Sequence, residues 1–185
     1  MEDQQNENLS QMPITPVKNA MNYGAIVGLA MVIISILFYI MGQESSEWGA
    51  YVHYIILTLG MVLGIKHFRD NINGGYLSYG KCLGNGVMIG FFASLITSFY
   101  SYVFFTFIDP SIIQVMLDQA EQNLIDAGTA DEEIEMAMVY TKKFMTPLLL
   151  TVATLFSYTL LSFLFSLIIS IFLKRNDDSF NGNFQ

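Results

Sequence analysis

Long runs of apolar residues alternate with short polar segments along this chain. Residues 20–41, 82–108 and 144–173 contain no Asp, Glu, Lys or Arg. Each run is longer than the roughly 20 residues that a helix needs to cross the hydrocarbon core of a bilayer. A fourth run, 50–65, reaches that length if Trp48 and Phe68 lie in the two membrane interfaces. Because lipid offers no hydrogen-bond partners to backbone groups, the pattern predicts four helices rather than open strands.

The polar segments set the expected boundaries. We predict an all-α, polytopic membrane protein with transmembrane helices at about 20–41, 48–68, 82–108 and 146–173. The segment 109–143 should form an amphipathic helical hairpin outside the membrane, between the third and fourth helices. A single membrane domain then covers residues 19–175. It lies between a disordered cytoplasmic tail at 1–18 and a cytoplasmic tail at 176–185.

Apolar residues recur at helical spacing in both halves of the expected hairpin. Asp109 before Pro110 is a good start for its first helix. Gly128 suits the end of that helix, and Thr129 with Glu132 predicts a capping box for the second. The second helix opens with an acidic group made of Asp131, Glu132, Glu133 and Glu135. This acidic face either concentrates cations or docks a partner, or it is only the solvated side of an amphipathic hairpin.

Composition supports a membrane location. Of the residues, 53% are hydrophobic and only 13% are charged, and the charges fall in particular segments instead of along every helix. The first apolar run is too long for a signal-peptide core and no small-residue cleavage site follows it, so an uncleaved helix is expected. The single cysteine, Cys82, cannot form an internal disulfide. A net charge of −8 without a basic patch argues against nucleic acid as a partner.

The basic residues predict the orientation, because cytoplasmic loops are enriched in Lys and Arg. A cytoplasmic N-terminus places six of the eight on the inner side, and only Lys142 and Lys143 remain outside. The six are Lys18, Lys66, Arg69, Lys81, Lys174 and Arg175. We therefore expect both termini to be cytoplasmic.

Small residues recur at four-residue intervals within the predicted spans. The intervals are Gly24–Gly28, Gly60–Gly64, Gly86–Gly90 and Gly80–Gly84, and the last span has Ser162, Ser166 and Ser170 instead. Such spacing lets helix backbones approach closely in lipid. In the expected topology all these residues lie toward the cytoplasm, whereas bulky rings concentrate in the outer half. The bundle should therefore be tight inside and wider outside, where aromatic packing, lipid or a solute cavity could fill the space.

Candidates for chemistry are few. In the inner loop, Lys66, Arg69, Asp70 and Lys81 could bind a partner or a lipid head group, or serve only to anchor a turn at residues 73–75. Asn22 and Asn85 should hydrogen-bond between helices, and His53 lies near the outer end. No ionisable residue is deep in a span, which argues against ion-coupled transport. We predict no catalytic residues, no metal site and no cofactor.

One stretch resembles a known family. Residues 64–70 read Gly-Ile-Lys-His-Phe-Arg-Asp, and residues 75–81 read Gly-Tyr-Leu-Ser-Tyr-Gly-Lys. Together with the acidic segment 132–135 and Pro147, they resemble a family of small bacterial membrane proteins, domain of unknown function 4199, common in Bacteroidetes. The His-Phe pair departs mildly from the family pattern, which has a Tyr at the second position. The resemblance implies four helices and a bacterial inner membrane, and it implies no activity.

The leading hypothesis is a non-enzymatic inner-membrane protein that is structural or accessory and acts through helix packing and partner binding. Besides the lipid bilayer, its partners would be further copies of itself or another membrane protein. The alternative is a small-solute or ion permeation protein, in which the acidic hairpin attracts cations on the outer side.

Overall fold

The computed structural model describes residues 15–43 and 47–175, and within them it is built from helices without any strand. Six helices follow one another: α1 Pro16–Ile40, α2 Glu47–His67, α3 Tyr79–Val103, α4 Ile112–Asp126, α5 Asp131–Phe144 and α6 Pro147–Leu173. Single π-helical turns, Phe68–Ile72 and Phe104–Ile108, extend α2 and α3. The predicted all-α fold is confirmed. Residues 1–14, 44–46 and 176–185, which hold most of the expected tails and part of the first loop, lie outside the described residues.

Four of these helices are long and apolar enough to cross a membrane. They are Pro16–Ile40, Trp48–Ile72, Tyr79–Ile108 and Pro147–Leu173, with 25, 25, 30 and 27 residues. Large apolar side chains on their outward faces are exposed, including Ile33 on α1 and Phe172 on α6. Exposed apolar surface of this extent is typical of helices that face lipid. The chain is therefore a multi-pass membrane protein with the four spans that the sequence predicts.

Threonine–proline pairs start the first and last spans. Thr15 accepts a hydrogen bond from the Lys18 amide at 3.3 Å, and Pro16 takes the first helical position, where its missing N–H costs nothing. Thr146 and Pro147 repeat the arrangement at α6. As a result α1 begins four residues before its expected start at residue 20, whereas α6 begins within one residue of its expected start.

Helices α4 and α5 pack on each other through Leu117, Ile134 and Met138. The turn between them contains Gly128, whose φ of 74° is a conformation that glycine adopts without strain. Helix α5 begins at Asp131 with Ala130 as its N-cap and without a side-chain capping bond. The capping box expected from Thr129 and Glu132 is therefore wrong, because the helix starts one residue later than that motif requires.

Helix α3 is the central element of the bundle. It packs most extensively against α6 and next against α1, while α2 closes the remaining side. The main core joins all four spans and includes Met31, Leu57, Met61 and Ile89, which are almost fully buried. This core lies toward the end of the bundle that carries the loop at residues 73–78, and it separates that end from the opposite, more open one.

Candidate functional site

Glycines bring α1, α2 and α3 into close contact. A Cβ atom added at Gly24 would lie 2.5 Å from Phe92 Cβ, and one at Gly28 would lie 2.9 Å from Ile96 Cβ. Added at Gly64, it would lie 2.5 Å from Ile89 Cδ1. At Gly60 it would overlap Val27, at Gly86 the Ser166 hydroxyl, and at Gly90 the Ser162 side chain. These six positions therefore exclude any side chain larger than hydrogen without movement of a neighbour.

The serine stripe of α6 faces the glycines of α3. Ser162, Ser166 and Ser170 are fully buried, and Ser166 donates a hydrogen bond to the Leu83 carbonyl of α3 at 3.0 Å. Ser162 bonds back to the Tyr158 carbonyl of its own helix at 2.6 Å. By contrast, nothing lies within 4 Å of a Cβ built at Gly80 or Gly84. The fourth glycine interval of the sequence therefore makes no close helix contact.

Two buried asparagines link three spans at the tightly packed end. The Asn19 side chain donates to Asn85 Oδ1 and to the Gly64 carbonyl, both at 3.1 Å. Asn85 in turn donates to the Pro16 carbonyl at 3.2 Å. Asn22, which was expected in this role, is exposed. The expectation was wrong because α1 starts earlier than predicted, and this brings Asn19 onto the face shared by Tyr23 and Val27.

The inner-loop residues separate into two groups. Arg69 pairs with Asp70, with Nε 2.6 Å from Oδ1, and its Nη1 donates to the Leu173 carbonyl at the end of α6 at 3.1 Å. The loop also pairs with the chain after α6 through two backbone hydrogen bonds between Leu77 and Arg175. Lys66 and Lys81 are exposed. Arg69 thus fastens the loop to α6 with Asp70 as its ion-pair partner, and Lys66 and Lys81 are the exposed cations of this loop.

The acidic group on α5 is fully accessible. Asp131, Glu132, Glu133 and Glu135 are all exposed, while Ile134 and Met138 between and beyond them face α4. Three acidic residues fall in the first helical turn, where they favour the positive end of the helix dipole. Across residues 15–43 and 47–175, no three His, Cys, Asp or Glu side chains come together as a metal site would require.

His53 is fixed between α1 and α2, toward the end of the bundle opposite the asparagines. Its Nδ1 donates to the Gly49 carbonyl at 2.7 Å, and its Nε2 lies 2.9 Å from the Ser35 hydroxyl. Ser35 also donates to the Met31 carbonyl at 3.0 Å. These contacts orient the imidazole and leave one edge of it in the wall of an open space.

That space is a cavity of about 690 Å³ at the end of the bundle opposite the asparagines. Its walls come from all four spans, and α4 lies across it. Rings form much of the wall, with Tyr39 and Phe104 in edge-to-face contact at 5.1 Å between centroids. The sequence predicted a wider outer half without deciding what fills it. The structure shows that rings line the end of the bundle that was expected to face outward, and that they leave it open.

The rings of the outer half divide into two sets. Phe38, Tyr39, Tyr100 and Phe104 face the cavity. Tyr51, Tyr54, Phe99, Tyr102 and Phe156 are exposed on the outside of the bundle. The second set matches an aromatic belt at a membrane interface. The first set faces the inside of the bundle, so an aromatic belt does not account for it. Its position makes the cavity the main candidate for a ligand site.

Residues 22–175 match a family described as Protein of unknown function (DUF4199). The chain belongs to the DUF4199 family. Searches of curated proteins and of solved structures return no match.

The DUF4199 match takes in every residue that lines the cavity and every glycine and serine of the close helix contacts. It begins after Asn19, so one member of the asparagine pair lies outside the matched range and Asn85 lies inside it. The DUF4199 description assigns no activity. Function therefore has to be argued from the geometry of this chain.

Proposed function

We propose that this DUF4199 protein is a non-enzymatic component of the bacterial inner membrane that holds a partner protein through its extramembrane helices. In this proposal both termini are cytoplasmic and α4 and α5 lie on the outer side. The protein acts as an accessory or structural subunit, in a larger complex or as an oligomer. The observation that carries the proposal is a second apolar face on α5, which the described residues leave uncovered.

Helix α5 has two apolar faces. One face packs against α4, as described above. The other carries Met136, Val139, Tyr140 and Phe144, whose side chains are exposed by 64%, 51%, 58% and 66%. Their spacing of three and four residues places them along one stripe. A contiguous apolar stripe outside the spans marks an interaction surface.

The charged residues that flank the stripe differ between its two ends, and they indicate what covers each end. Near Phe144, the stripe is flanked by Lys142 and Lys143, and the Lys143 ammonium lies 5.6 Å from the centre of the Tyr140 ring. Aromatic and basic residues together suit a membrane interface. Near Met136 the flanking residues are acidic instead, and they border a groove of about 410 Å³ between α4 and α5, which Glu121, Asp131 and Glu135 line together with Lys142. Acidic groups disfavour contact with anionic lipid, so this part fits a protein surface that presents basic and apolar side chains.

Photo-crosslinking in cells tests the partner. A photoreactive amino acid at Met136, read by mass spectrometry of crosslinked peptides, should trap one protein reproducibly, and Asp131→Asn with Glu135→Gln should reduce its yield. The same amino acid at Phe156, which is 72% exposed on the lipid-facing side of α6, is the control. Recovery of the same set of proteins from both positions, or of none from Met136, would contradict the proposal.

The orientation has its own test. Cysteine at Gln122 on α4 and at Asn71 in the inner loop, both exposed positions, can be combined with Cys82→Ser. A membrane-impermeant maleimide should label the first in intact cells and the second only after permeabilisation. The opposite pattern would reverse the proposed topology.

Permeation is the second candidate, and the cavity favours it to a limited extent. The cavity could receive a solute from the outer side, but the layer of Met31, Leu57 and Met61 beneath it is almost fully buried. Solute passage through one chain would require this layer to separate. Proteoliposome flux that falls when Asp131, Glu132, Glu133 and Glu135 are neutralised would support permeation over the accessory role.

A further inference from the structure

The cavity beneath α4 has the size of a ligand site. Its volume of about 690 Å³ lies within the range of roughly 300 to 1,000 Å³ that is common for small-molecule pockets. Apolar walls with a few placed polar groups are also typical of such pockets. Here Phe38, Phe104 and Phe105 supply apolar walls, and the small residues Ala50 and Ser101 also line the cavity.

Polar groups without protein partners face this space. Tyr100 and Tyr158 line the cavity, and their hydroxyls make no hydrogen bond to any described residue. Gln119 and Asn123, one turn apart on α4, also line it, but both are exposed outside the spans, where water can bond to their amides. Polar groups at membrane depth need a partner, because hydrocarbon offers none. A ligand inside the cavity would therefore meet the two tyrosine hydroxyls as hydrogen-bonding groups.

The wall offers no free charged group. None of the described residues that line the cavity is Asp, Glu, Lys or Arg, and both ring nitrogens of His53, which also lines it, are bonded within the protein. An ionised ligand would have to leave water without an opposite charge to meet it, which is costly. A ligand made only of hydrocarbon would leave the tyrosine hydroxyls unsatisfied. An uncharged molecule with both an apolar body and a hydrogen-bonding head meets both conditions.

The geometry points to a binding site for an uncharged amphiphile in this cavity, with the apolar body among Phe38, Phe104 and Phe105 and the hydroxyl or carbonyl head bonded to Tyr158. Such molecules dissolve in the bilayer as neutral lipids or reach it from the aqueous phase. Both sources share the chemistry that the wall recognises. The site rests on a different set of residues from the α5 stripe, so it stands independently of the partner proposed there.

Photoreactive azioctanol, an uncharged alkyl alcohol, is a suitable probe in proteoliposomes of the full-length protein. Labelling mapped by peptide mass spectrometry should concentrate on the cavity wall, at residues such as Tyr158 and Phe104, and should saturate. Excess octanol should compete, and octanoate should not. Labelling that rises linearly without saturation, or that falls equally on exposed and cavity residues, would overturn the assignment.

Two variants make the test specific. Ser101→Phe adds a ring to the cavity wall and should abolish saturable labelling, whereas Ser157→Phe, at an exposed position of α6, should leave it unchanged. Tyr158→Phe removes only the hydroxyl and should weaken competition by octanol about fivefold, the equivalent of one neutral hydrogen bond. Thermal unfolding identifies any variant that fails to fold. Unaltered saturable labelling in folded Ser101→Phe would overturn the proposal.

The same preparation can distinguish whether the natural ligand comes from the bilayer or from the aqueous phase. A neutral lipid that is extracted in equimolar amount from the purified protein, and is depleted in Ser101→Phe, would place the source in the bilayer. Saturable labelling without such a lipid would place it in the aqueous phase. Either result supports the site. Equal recovery of the lipid from Ser101→Phe and Ser157→Phe would contradict it.

Discussion

The Asn19 side chain donates a hydrogen bond to Asn85 Oδ1 across 66 positions of sequence, and it donates a second to the Gly64 carbonyl. One amide thereby joins α1, α2 and α3 at the end of the bundle where the helices lie closest. The pair is buried, with exposed fractions of 1% for Asn19 and 3% for Asn85. Removing one partner leaves the other without a hydrogen bond in an apolar setting.

We expect Asn85→Ala to lower the free energy of unfolding by about 1–2 kcal/mol, in the upper range measured for hydrogen bonds between membrane helices. Asn19→Ala should have a similar effect. The double variant should lose less than the sum, because the two residues share one interaction. Steric trapping in bicelles measures each value, and Asn22→Ala, at an exposed position of the same helix, is the control. Strict additivity would show that the pair is not coupled.

Gly90 and Gly84 on α3 allow a direct comparison between a closely packed glycine and an unpacked one. A Cβ at Gly90 would overlap the Ser162 side chain, and nothing lies within 4 Å of one at Gly84. Gly90→Ala should therefore destabilise the protein by about 1–3 kcal/mol through forced separation of α3 and α6. Gly84→Ala should be neutral or stabilise by about 0.5–1 kcal/mol, because alanine favours the helix. Thermal unfolding in detergent distinguishes these outcomes.

A compensating change sharpens the glycine test. Ser162→Gly removes the side chain that the new Cβ would meet. Combined with Gly90→Ala, it should restore much of the lost stability. If Gly90→Ala and Gly84→Ala melt at the same temperature, close packing at Gly90 is not what stabilises this contact.

Sequence reasoning located the spans well because the apolar runs are long. Lipid exposure requires apolar residues along the whole membrane depth, so the four runs mark their helices within a few residues. Helix ends were less accurate. The start of α1 depends on the Thr15–Pro16 pair and not on the apolar run. Asn19 therefore fell just outside the predicted helix, and its role was missed. The Thr15–Pro16 capping signal is present in the sequence and would have placed Asn19 within α1.

The site was harder to predict than the fold. A four-residue interval shows that small residues share a helix face but not which face meets a neighbour, so Gly80–Gly84 looked equivalent to Gly86–Gly90. Bulky rings indicated a wide outer half. Whether rings such as Phe104 fill that half or only line it depends on how far the helices spread, which the spacing of residues along the chain does not show.

Arg69 gives a prediction for the inner loop. Its guanidinium bonds to Asp70 and to the Leu173 carbonyl at the C-terminus of α6, where a cation also meets the negative end of the helix dipole. Arg69→Gln should lower the melting temperature and increase hydrogen exchange in the loop and at the end of α6. Lys66→Gln, which removes an exposed charge nearby, should leave both unchanged. Equal effects of the two variants would mean that total charge matters and this contact does not.

Asp109 predicts a dependence on pH at the start of α4. Hydrogen bonds from the Ser111 hydroxyl first, and then from the Ser111 amide and the Tyr39 hydroxyl, lower the pKa of Asp109 below its ordinary value. A lowered pKa means that the ionised carboxylate favours the folded turn. The contribution is fully present above the ordinary carboxyl pKa of about 3.9 and is lost as the pH falls through the lower folded value. Amides 112–115 should therefore lose protection from hydrogen exchange only under acid conditions.

Two substitutions separate this cause from general acid unfolding. Asp109→Asn keeps an oxygen that can accept from Ser111 but cannot titrate, so protection of amides 112–115 should no longer change across that acid range. Ser111→Ala removes the hydroxyl, which is the largest cause of the lowered pKa, and should move the loss of protection to higher pH. Protection at the buried residues of α3, such as Ile89, serves as the internal reference. If the α4 amides and the α3 amides lose protection together in every variant, Asp109 does not govern the start of α4, because a local cap can loosen only the turn it holds.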